Sequence, residues 1–514
     1  MARSLCELSH ELNRQIGLLI HRSGKIEAVI VGDYGSLLIP ALPPQRATGG
    51  RLRGLRLVHT HPGGEDLTDD DLMDLVFLRL DLIAVLKIAR DGLPERLYAA
   101  HLLPSGEEGR AWQFLDPVHP AAQQVSFTGL VEALEQEFSR RQRTAEVDQG
   151  RDRAILISVS TEPRDQAEAS LAELTELARS DDIIVLDRVL QRRSRINPRY
   201  ILGKGRLSDI VIRALRLDAN LLLFNQELNP SQIRSITDFT DLRVIDRTQL
   251  ILDIFAHRAR SREGKLQVEM AQLKYLLPRL SSRDDALSRL TGGIGARGPG
   301  ETKLEIDRRR INDRLARLAN ELKEVGSERY RRRARRRKKD LPVLSLVGYT
   351  NAGKSTLLNT LTDSAIVAED KLFATLDPTS RRLRFPEEME VIITDTVGFI
   401  DNLPEDLLLA FKATLEELEE ADLLLHVIDY SNPAYRHQMH VVQRLLQELE
   451  LDNLPILAVF NKLDRVQMSA ERWRQIEAEG VGVSALDQAT LSPLLERAQQ
   501  LMKKALATRD QGCR

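Results

Sequence analysis

The chain has 514 residues, of which 42% are hydrophobic and 29% charged, which is enough apolar material for several folded domains. Its 74 basic and 76 acidic residues nearly cancel, so net charge alone does not indicate a polyanionic partner. Two cysteines exclude a disulfide framework, and no apolar stretch approaches the roughly 18 residues of a membrane helix. We therefore expect a cytoplasmic protein without a membrane partner.

The first functional pattern along the chain is His59-Thr60-His61-Pro62, followed by Thr68 and Asp71. Alternate residues of a strand face one side, and a helical carboxylate can complete a three-ligand metal site with an open position. The pattern resembles the zinc motif of JAMM-type metalloproteases, with threonine in place of serine. That resemblance implies zinc held by His59, His61 and Asp71, with Glu27 as a candidate catalytic glutamate. The favoured alternative is an accessory domain of this fold in which both histidines are structural remnants.

Two changes of pattern follow. Residues from about 154 to 255 alternate short apolar runs with helical stretches, which predicts a small parallel sheet surrounded by helices. From about 261 to 337, apolar residues recur at helical spacing between many charges, which predicts two long antiparallel helices. The glycine-rich segment 291–301 would join them.

That joining segment contains five glycines, a proline and Arg297, and more basic residues follow it at Lys303 and 308–310. In the run 329–339, nine of eleven residues are basic. A glycine-rich loop on a basic hairpin can approach RNA closely, by shape and phosphate contacts rather than base stacking, since aromatic residues make up only 4% of the chain. A flexible turn and a solvated linker are the alternative interpretations.

Segment 348–355 matches the phosphate-binding pattern G-x-x-x-x-G-K-[ST] and lies between a strand-like run and a predicted helix start. The glycines would let backbone N–H groups surround phosphate oxygens, Lys354 would reach the outer phosphates, and Ser355 would ligate Mg²⁺. Further along, 461–464 reads Asn-Lys-Leu-Asp at the end of another strand-like run. Asp464 can accept from two donors that guanine has and adenine lacks, which favours GTP and GDP over ATP.

Two elements between these motifs would sense the γ-phosphate. Asp395 would hold Mg²⁺ through water, the Gly398 N–H would touch the γ-phosphate, and Thr375 would ligate Mg²⁺, with Thr379 as the fallback. Phe399 stands where many GTPases carry a glutamine that orients water, so we expect slow intrinsic hydrolysis that a macromolecular partner accelerates. The alternative role for Phe399 is packing. Loss of the γ-phosphate would release both elements.

The predicted nucleotide site thus has five segments, within which Lys354, Thr375 and Gly398 are the predicted catalytic residues and Ser355 and Thr375 the predicted Mg²⁺ ligands. The phosphate-loop residues are Gly348, Tyr349, Thr350, Asn351, Ala352, Gly353, Lys354 and Ser355. The two switch segments are Phe373, Ala374, Thr375, Leu376 and Asp377, and Asp395, Thr396, Val397 and Gly398. The guanine-reading residues are Asn461, Lys462, Leu463 and Asp464, supported by Ser484, Ala485 and Leu486.

Together with these elements, five upstream segments resemble the signatures of the HflX family of GTPases, over about residues 153 to 504. They are 200–205, 244–248, 251–256, 264–275 and 295–303. The resemblance implies a cytoplasmic enzyme that hydrolyses GTP, binds the large ribosomal subunit and its RNA rather than DNA or membranes, and splits or rescues stalled ribosomes when GTP-bound. The alternative is a GTP-regulated metallohydrolase that uses His59, His61 and Asp71.

The resulting fold prediction is a multidomain α/β protein, in which a P-loop GTPase domain follows a small parallel α/β domain with a long helical hairpin and an N-terminal α+β accessory domain. The predicted domains are 1–145 (accessory), 153–258 (α/β), 259–338 (hairpin) and 341–506 (GTPase).

Overall fold

The computed structural model describes twelve stretches of the chain, which fall into two compact units. The described residues are 1–40, 52–103, 112–122, 126–145, 151–240, 242–291, 303–337, 341–362, 372–373, 379–387, 389–401 and 418–512. The first unit comprises Met1–Thr161, Ile183–Leu223 and Ser231–Val244. The second comprises Glu162–Asp182, Phe224–Pro230 and Ile245–Arg514, so it joins helical segments from the middle of the chain to the carboxy-terminal half. The division into four domains stays a prediction.

The N-terminal part of the first unit is a mixed six-stranded sheet with helices. Its elements are α1 (Ala2–Leu12), β1 (Ile16–His21), β2 (Ile26–Val31), β3 (Leu55–His61), α2 (Asp69–Phe77), β4 (Leu82–Ile88), β5 (Pro94–Leu102), β6 (Trp112–Val118) and α3 (Phe127–Ala145). The strand order is β2-β1-β3-β4-β5-β6, and β3 and β4 pair in parallel while the other neighbours are antiparallel. The histidine-bearing strand β3 therefore lies inside the sheet, between β1 and β4.

A four-stranded sheet follows, as the β/α alternation predicts. Its strands are β7 (Arg153–Ser160), β8 (Ile184–Arg192), β9 (Leu221–Phe224) and β10 (Arg243–Asp246), in the order β10-β9-β7-β8, with β7 and β8 parallel. The intervening helices are α4 (Arg164–Ser180), α5 (Lys204–Arg216), α6 (Pro230–Thr237) and α7 (Arg247–Arg258). The apolar run of β7 is buried along nearly its whole length, which explains its continuous rather than alternating pattern.

The helical hairpin has the form that the spacing of its apolar residues predicts. Helix α8 (Arg262–Thr291) and helix α9 (Lys303–Arg337) are antiparallel, since Glu269 pairs with Arg314 at 2.6 Å and Arg262 with Glu321 at 3.9 Å. The glycine-rich segment with Arg297 lies outside the described residues. The arginine run does not begin as a linker, because α9 continues through it to Arg337; its side chains are not described.

The carboxy-terminal sheet confirms the predicted P-loop GTPase fold. Its elements are β11 (Val343–Gly348), α10 (Lys354–Thr362), β12 (Thr379–Arg384), β13 (Glu390–Asp395), β14 (Leu423–Asp429), α11 (Tyr435–Glu448), β15 (Ile456–Asn461), α12 (Ala470–Glu479), β16 (Val481–Gly482) and α13 (Ser492–Gly512). The order is β12-β13-β11-β14-β15-β16, and every neighbouring pair is parallel except β12 with β13. Because parallel strands end at one edge, the motifs that follow β11, β13 and β15 share that edge.

No helix in the described part of the chain is both long enough and apolar enough to span a membrane.

Candidate functional site

The phosphate loop leaves β11 at Gly348 and enters α10 at Lys354, and its glycines are required by geometry. Gly348 has φ +153°, and a Cβ there would lie 2.3 Å from the carbonyl oxygen of Val427. Gly353 has φ +91°, and a Cβ there would lie 2.3 Å from the side-chain nitrogen of Asn461. Any larger residue at either position would displace the loop from the neighbouring strands.

Lys354 is buried at the first turn of α10, and its Nζ donates to the carbonyls of Gly348 at 3.1 Å and Tyr349 at 2.9 Å. Burial lowers the pKa of Lys354 to about 8, although the nearby carboxylate of Asp395 opposes that shift. An ammonium held by two carbonyls inside a glycine loop gains from an incoming polyphosphate, which supplies the negative charge that the loop itself lacks.

The predicted guanine-reading motif, 461–464, is hydrogen-bonded to the phosphate loop. The side-chain amide of Asn461 donates to the carbonyl of Ala352 at 2.9 Å, and its Oδ1 accepts from the N–H of Ala485 at 2.9 Å. Asn461 therefore ties together three of the predicted segments, a role that the motif alone did not reveal. Its predicted contact with the base stays a prediction.

Asp464 lies in a short 3-10 turn, Leu463–Arg465, and its Oδ1 accepts from the Ser484 hydroxyl at 2.6 Å. Lys462 has φ +63° and pairs with Asp429, at the end of β14, at 2.8 Å. Ala485 is buried, whereas Leu486 is 74% exposed. The Ser484 hydroxyl thus holds the Asp464 carboxylate in one orientation.

Ser355, Asp395 and Gly398, three of the residues predicted to bind Mg²⁺ or the γ-phosphate, lie in or beside the phosphate loop. The Ser355 hydroxyl donates to the Asp395 carboxylate at 2.6 Å. The hydroxyl of Thr396 donates to the carbonyl of Leu346 at 2.6 Å, and Val397 is buried. A Cβ at Gly398 would lie 2.8 Å from the Thr350 side chain.

Phe399 is 2% exposed, and its backbone is bonded to the phosphate loop on both sides. The N–H of Thr350 donates to the Phe399 carbonyl at 2.7 Å, and the N–H of Phe399 donates to the Gly348 carbonyl at 3.1 Å. The burial of Phe399 agrees with the packing role considered for it, and its ring is not exposed to solvent.

The first switch is described only in part. Phe373 is buried, and its ring packs edge-on against Phe255 of α7 with centroids 4.6 Å apart. The fallback Thr379 lies at the start of β12, directly opposite Asp395. The predicted residues Ala374, Thr375, Leu376 and Asp377 lie outside the described residues.

Two residues at the edge of the site were not predicted. Glu173 of α4 accepts a hydrogen bond from the Tyr349 hydroxyl at 2.5 Å, and the buried Arg247 of α7 donates to Glu173 at 2.6 Å. Arg247 also donates to the carbonyl of Asp401 at 3.2 Å, and the N–H of Asp401 donates to the Tyr349 hydroxyl at 2.9 Å. The only sequence signal was Arg247 within segment 244–248, since Glu173 belongs to no local motif.

A second candidate site lies in the first unit, where β3 and the first turn of α2 meet. Nε2 of His59 lies 3.1 Å from Nε2 of His61 and 2.9 Å from Asp71, and Nε2 of His61 lies 3.6 Å from Asp71. Burial and the neighbouring His59 lower the pKa of His61, so its ring is neutral and able to ligate a metal. Burial alone would raise the pKa of Asp71, but the hydrogen bond and charge of His59, together with the hydrogen bonds from Thr68, outweigh burial and lower that pKa. Glu27 is exposed on β2 and pairs with Lys25 at 3.3 Å, outside this cluster.

Three family models match consecutive parts of the chain. Residues 168–256 match "GTP-binding GTPase N-terminal", 258–336 match "GTP-binding GTPase Middle Region" and 343–462 match "50S ribosome-binding GTPase". A protein named GTPase HflX from Lacrimispora saccharolytica is 51% identical over 313 residues, which are 61% of this chain and 74% of that protein. The chain belongs to the HflX family of GTPases.

Other HflX proteins match over a similar extent. The one from Caldanaerobacter subterraneus is 46% identical over 70% of this chain and 82% of its own, and the one from Escherichia coli is 44% identical over 62% and 74%. A GTP-binding protein from Sulfolobus solfataricus, solved in complex with GDP, aligns at 22% identity and a TM-score of 0.39, covering 69% of this chain and 99% of that one.

Membership of the HflX family identifies the chain as a GTP-binding GTPase that hydrolyses GTP. The predicted nucleotide-binding segments from Gly348 to Lys462 lie within the matched range 343–462, whereas Leu463, Asp464 and 484–486 follow it. The three family models begin at residue 168, so the cluster of His59, His61 and Asp71 lies outside them.

Proposed function

We propose that the GTP-bound chain binds the large ribosomal subunit and splits or rescues stalled ribosomes, and that hydrolysis ends the interaction. The observation that carries this proposal is the match of 343–462 to a family model described as a 50S ribosome-binding GTPase. The helical hairpin supports it, since α9 ends in an arginine run that can neutralise RNA phosphates. Arg297, in the glycine-rich connection, is proposed to contact the same RNA.

At the nucleotide site, the phosphate loop and Lys354 bind the phosphates, while Asp464 accepts from guanine. The Ser355 hydroxyl and the Asp395 carboxylate, 2.6 Å apart, form an oxygen-rich donor pair that suits Mg²⁺. Mg²⁺ would be held by Ser355 and Thr375 directly and by Asp395 through water, and it would neutralise charge on the β- and γ-phosphates. Gly398 donates its N–H to the γ-phosphate. Because the phenyl ring of Phe399 cannot hydrogen-bond water, intrinsic hydrolysis is slow and the ribosome supplies the group that positions water.

The proposal is tested by co-sedimentation with separated ribosomal subunits, in GDP and in a nonhydrolysable GTP analogue. Binding to the large subunit only with the analogue, and weaker binding at higher salt, are expected. Charge reversal of Arg297 should reduce binding without changing the affinity for the nucleotide. Equal binding in both nucleotide states, or binding to the small subunit instead, would contradict the proposal.

A second proposal concerns the N-terminal cluster, where three potential ligand atoms converge. Zinc–nitrogen bonds of about 2.0–2.1 Å in a tetrahedron place neighbouring ligand atoms about 3.3 Å apart. The two Nε2 atoms are 3.1 Å apart, and they lie 2.9 Å from Oδ1 and 3.6 Å from Oδ2 of Asp71, so the two rings and this carboxylate group can surround one divalent ion. The surroundings also suit a metal, because Nδ1 of His61 lies 3.3 Å from the carbonyl of Glu65 and Thr68 donates to Asp71 at 2.7 and 2.8 Å.

This cluster is proposed as a metal site only, because nothing in the described residues or the comparisons supports a hydrolase there. Elemental analysis after dialysis against micromolar zinc should give one zinc per wild-type chain and none per His59→Ala, His61→Ala double variant. Retention of zinc by the double variant would place the metal elsewhere. Absence of zinc from both would leave the histidines as structural remnants.

A further inference from the structure

The residues that hold Asp401 join the phosphate loop to the second switch. Asp401 follows Gly398 by three positions, and both of its main-chain polar groups are engaged: its N–H by the Tyr349 hydroxyl at 2.9 Å and its carbonyl by Arg247 at 3.2 Å. Glu173 connects the two holders, since it accepts from Tyr349 at 2.5 Å and from Arg247 at 2.6 Å. We call Glu173, Arg247, Tyr349 and Asp401 the Asp401 clamp.

Tyr349 and Arg247 of the clamp are buried, and both act as hydrogen-bond donors to Glu173. Burial, with the negative charge of Glu173 adding to it, raises the pKa of Tyr349 far above its ordinary value, so its hydroxyl keeps its proton and donates to the carboxylate. Arg247 is 5% exposed and also donates to the side chain of Asn225 at 3.2 Å, which fixes its guanidinium. Buried, charge-assisted hydrogen bonds of this kind are shorter and stronger than exposed ones, so the geometry is well defined.

The same two helices also hold the start of the first switch. The hydroxyl of Ser180, at the end of α4, accepts from the N–H of Leu372 at 2.9 Å, and Phe255 of α7 packs against Phe373 with centroids 4.6 Å apart. Helices α4 and α7 therefore contact the phosphate loop and the described ends of both switches.

We propose that Glu173 and Arg247 are positioning residues for GTP, which act by holding Tyr349 and Asp401 so that Gly398 is already placed for the γ-phosphate. Ordering a backbone segment costs conformational entropy, and the clamp orders Tyr349 and Asp401 before the nucleotide binds. GDP has no γ-phosphate and gains nothing from this placement. The clamp therefore sets the ratio of the GTP and GDP affinities. This inference rests on the proposed contact between Gly398 and the γ-phosphate.

The test is Tyr349→Phe, which removes one oxygen and two hydrogen bonds while keeping the buried ring. The affinity for a nonhydrolysable GTP analogue should fall about five- to thirtyfold relative to GDP, the equivalent of one or two hydrogen bonds. Glu173→Gln should lower the ratio in the same direction, and the double variant should lose less than the sum because both changes break one network. Glu176→Gln is the matched control, since the Glu176 side chain is exposed on α4 and accepts from Arg179, while its bond to the Ser180 hydroxyl uses the main-chain carbonyl, which the substitution keeps.

An equal loss of affinity for both nucleotides in Tyr349→Phe, or no loss, would overturn the clamp and leave those residues a structural role only. Thermal unfolding checks each variant, and Tyr349→Phe remains informative even if Glu173→Gln fails to fold. Gly398→Ala, measured in parallel, separates the two ideas: if it lowers the ratio while Tyr349→Phe does not, only the clamp fails. If neither variant lowers the ratio, the proposed γ-phosphate contact itself is wrong.

Discussion

Gly398→Ala probes the closest approach between the second switch and the phosphate loop. An added Cβ would lie 2.8 Å from Cγ2 of Thr350, 2.9 Å from Cα of Thr350 and 3.1 Å from Nζ of Lys354. Carbon atoms attract optimally at about 3.5–4.0 Å, so the overlap is several tenths of an ångström. A rotamer change cannot relieve the overlap with the Cα of Thr350, because this atom belongs to the backbone. The second switch must therefore move away from the phosphate loop.

The size of the effect follows from overpacking, which typically costs about 1–3 kcal/mol in a well-packed interior. GTP binding requires the switch to lie against the loop, so this cost falls on the affinity for GTP, about five- to 150-fold. GDP affinity should change much less, because GDP lacks the γ-phosphate through which Gly398 is proposed to contact the nucleotide. Hydrolysis should slow as well, since the same displacement moves the N–H of Gly398.

Isothermal titration with GDP and a nonhydrolysable GTP analogue measures both affinities in the wild type and the variant. Gly129→Ala is the matched control, because a Cβ there would come no closer than 3.6 Å to its neighbours. Unchanged GTP-analogue affinity in Gly398→Ala, with GDP affinity also unchanged, would refute the proposed placement of the γ-phosphate.

Three further outcomes are expected. Phe399→Gln should not accelerate intrinsic hydrolysis. It should lower the free energy of unfolding by about 2–3 kcal/mol, because it buries an amide where a packed ring lies. An increased rate in a single-turnover assay would show instead that the side chain at position 399 faces the water. Thr375→Ala, and not Thr379→Ala, should raise the Mg²⁺ concentration needed for GTP hydrolysis, and the reverse would move the ligand to the fallback. Burial, with the charge of Lys354, lowers the pKa of His426 from 6.5 to about 4. On acidification the unfolded chain therefore takes up this proton before the folded chain does, so the free energy of unfolding should fall by up to roughly 3 kcal/mol between those pH values. Urea unfolding measures this fall, which His426→Gln should lack.

The described parts of the candidate nucleotide site lie where the sequence predicts them, because each part is encoded locally. The glycines of the phosphate loop are needed by the backbone itself, as the positive φ values of Gly348 and Gly353 show. Each motif also follows an apolar run, and parallel strands bring their carboxyl ends to one edge whatever the loops between them do. The hairpin was predictable for a similar reason, since helical periodicity persists over α8 and α9.

The remaining features depend on packing between distant parts of the chain. Glu173 is one of many acidic residues on an amphipathic helix, and only the approach of α4 to the phosphate loop distinguishes it from the exposed Glu176. Strand alternation places His59 and His61 on one face, but the approach of Asp71 depends on how α2 packs, with a capping box between Thr68 and Asp71 fixing its first turn. The arginine run was open to interpretation as a linker because composition alone does not show where a helix ends.

The most direct measurement of the central claim is nucleotide selectivity in Asp464→Asn. Replacing the carboxylate acceptor by an amide removes the partner of the guanine donors and supplies a donor for the 2-keto oxygen of xanthine. Calorimetry with Mg²⁺ should show that the wild type binds GDP but neither ADP nor xanthosine diphosphate, and that the variant prefers xanthosine diphosphate. Tight binding of ADP by the wild type, or unchanged GDP affinity in Asp464→Asn, would contradict the assignment of the carboxy-terminal site.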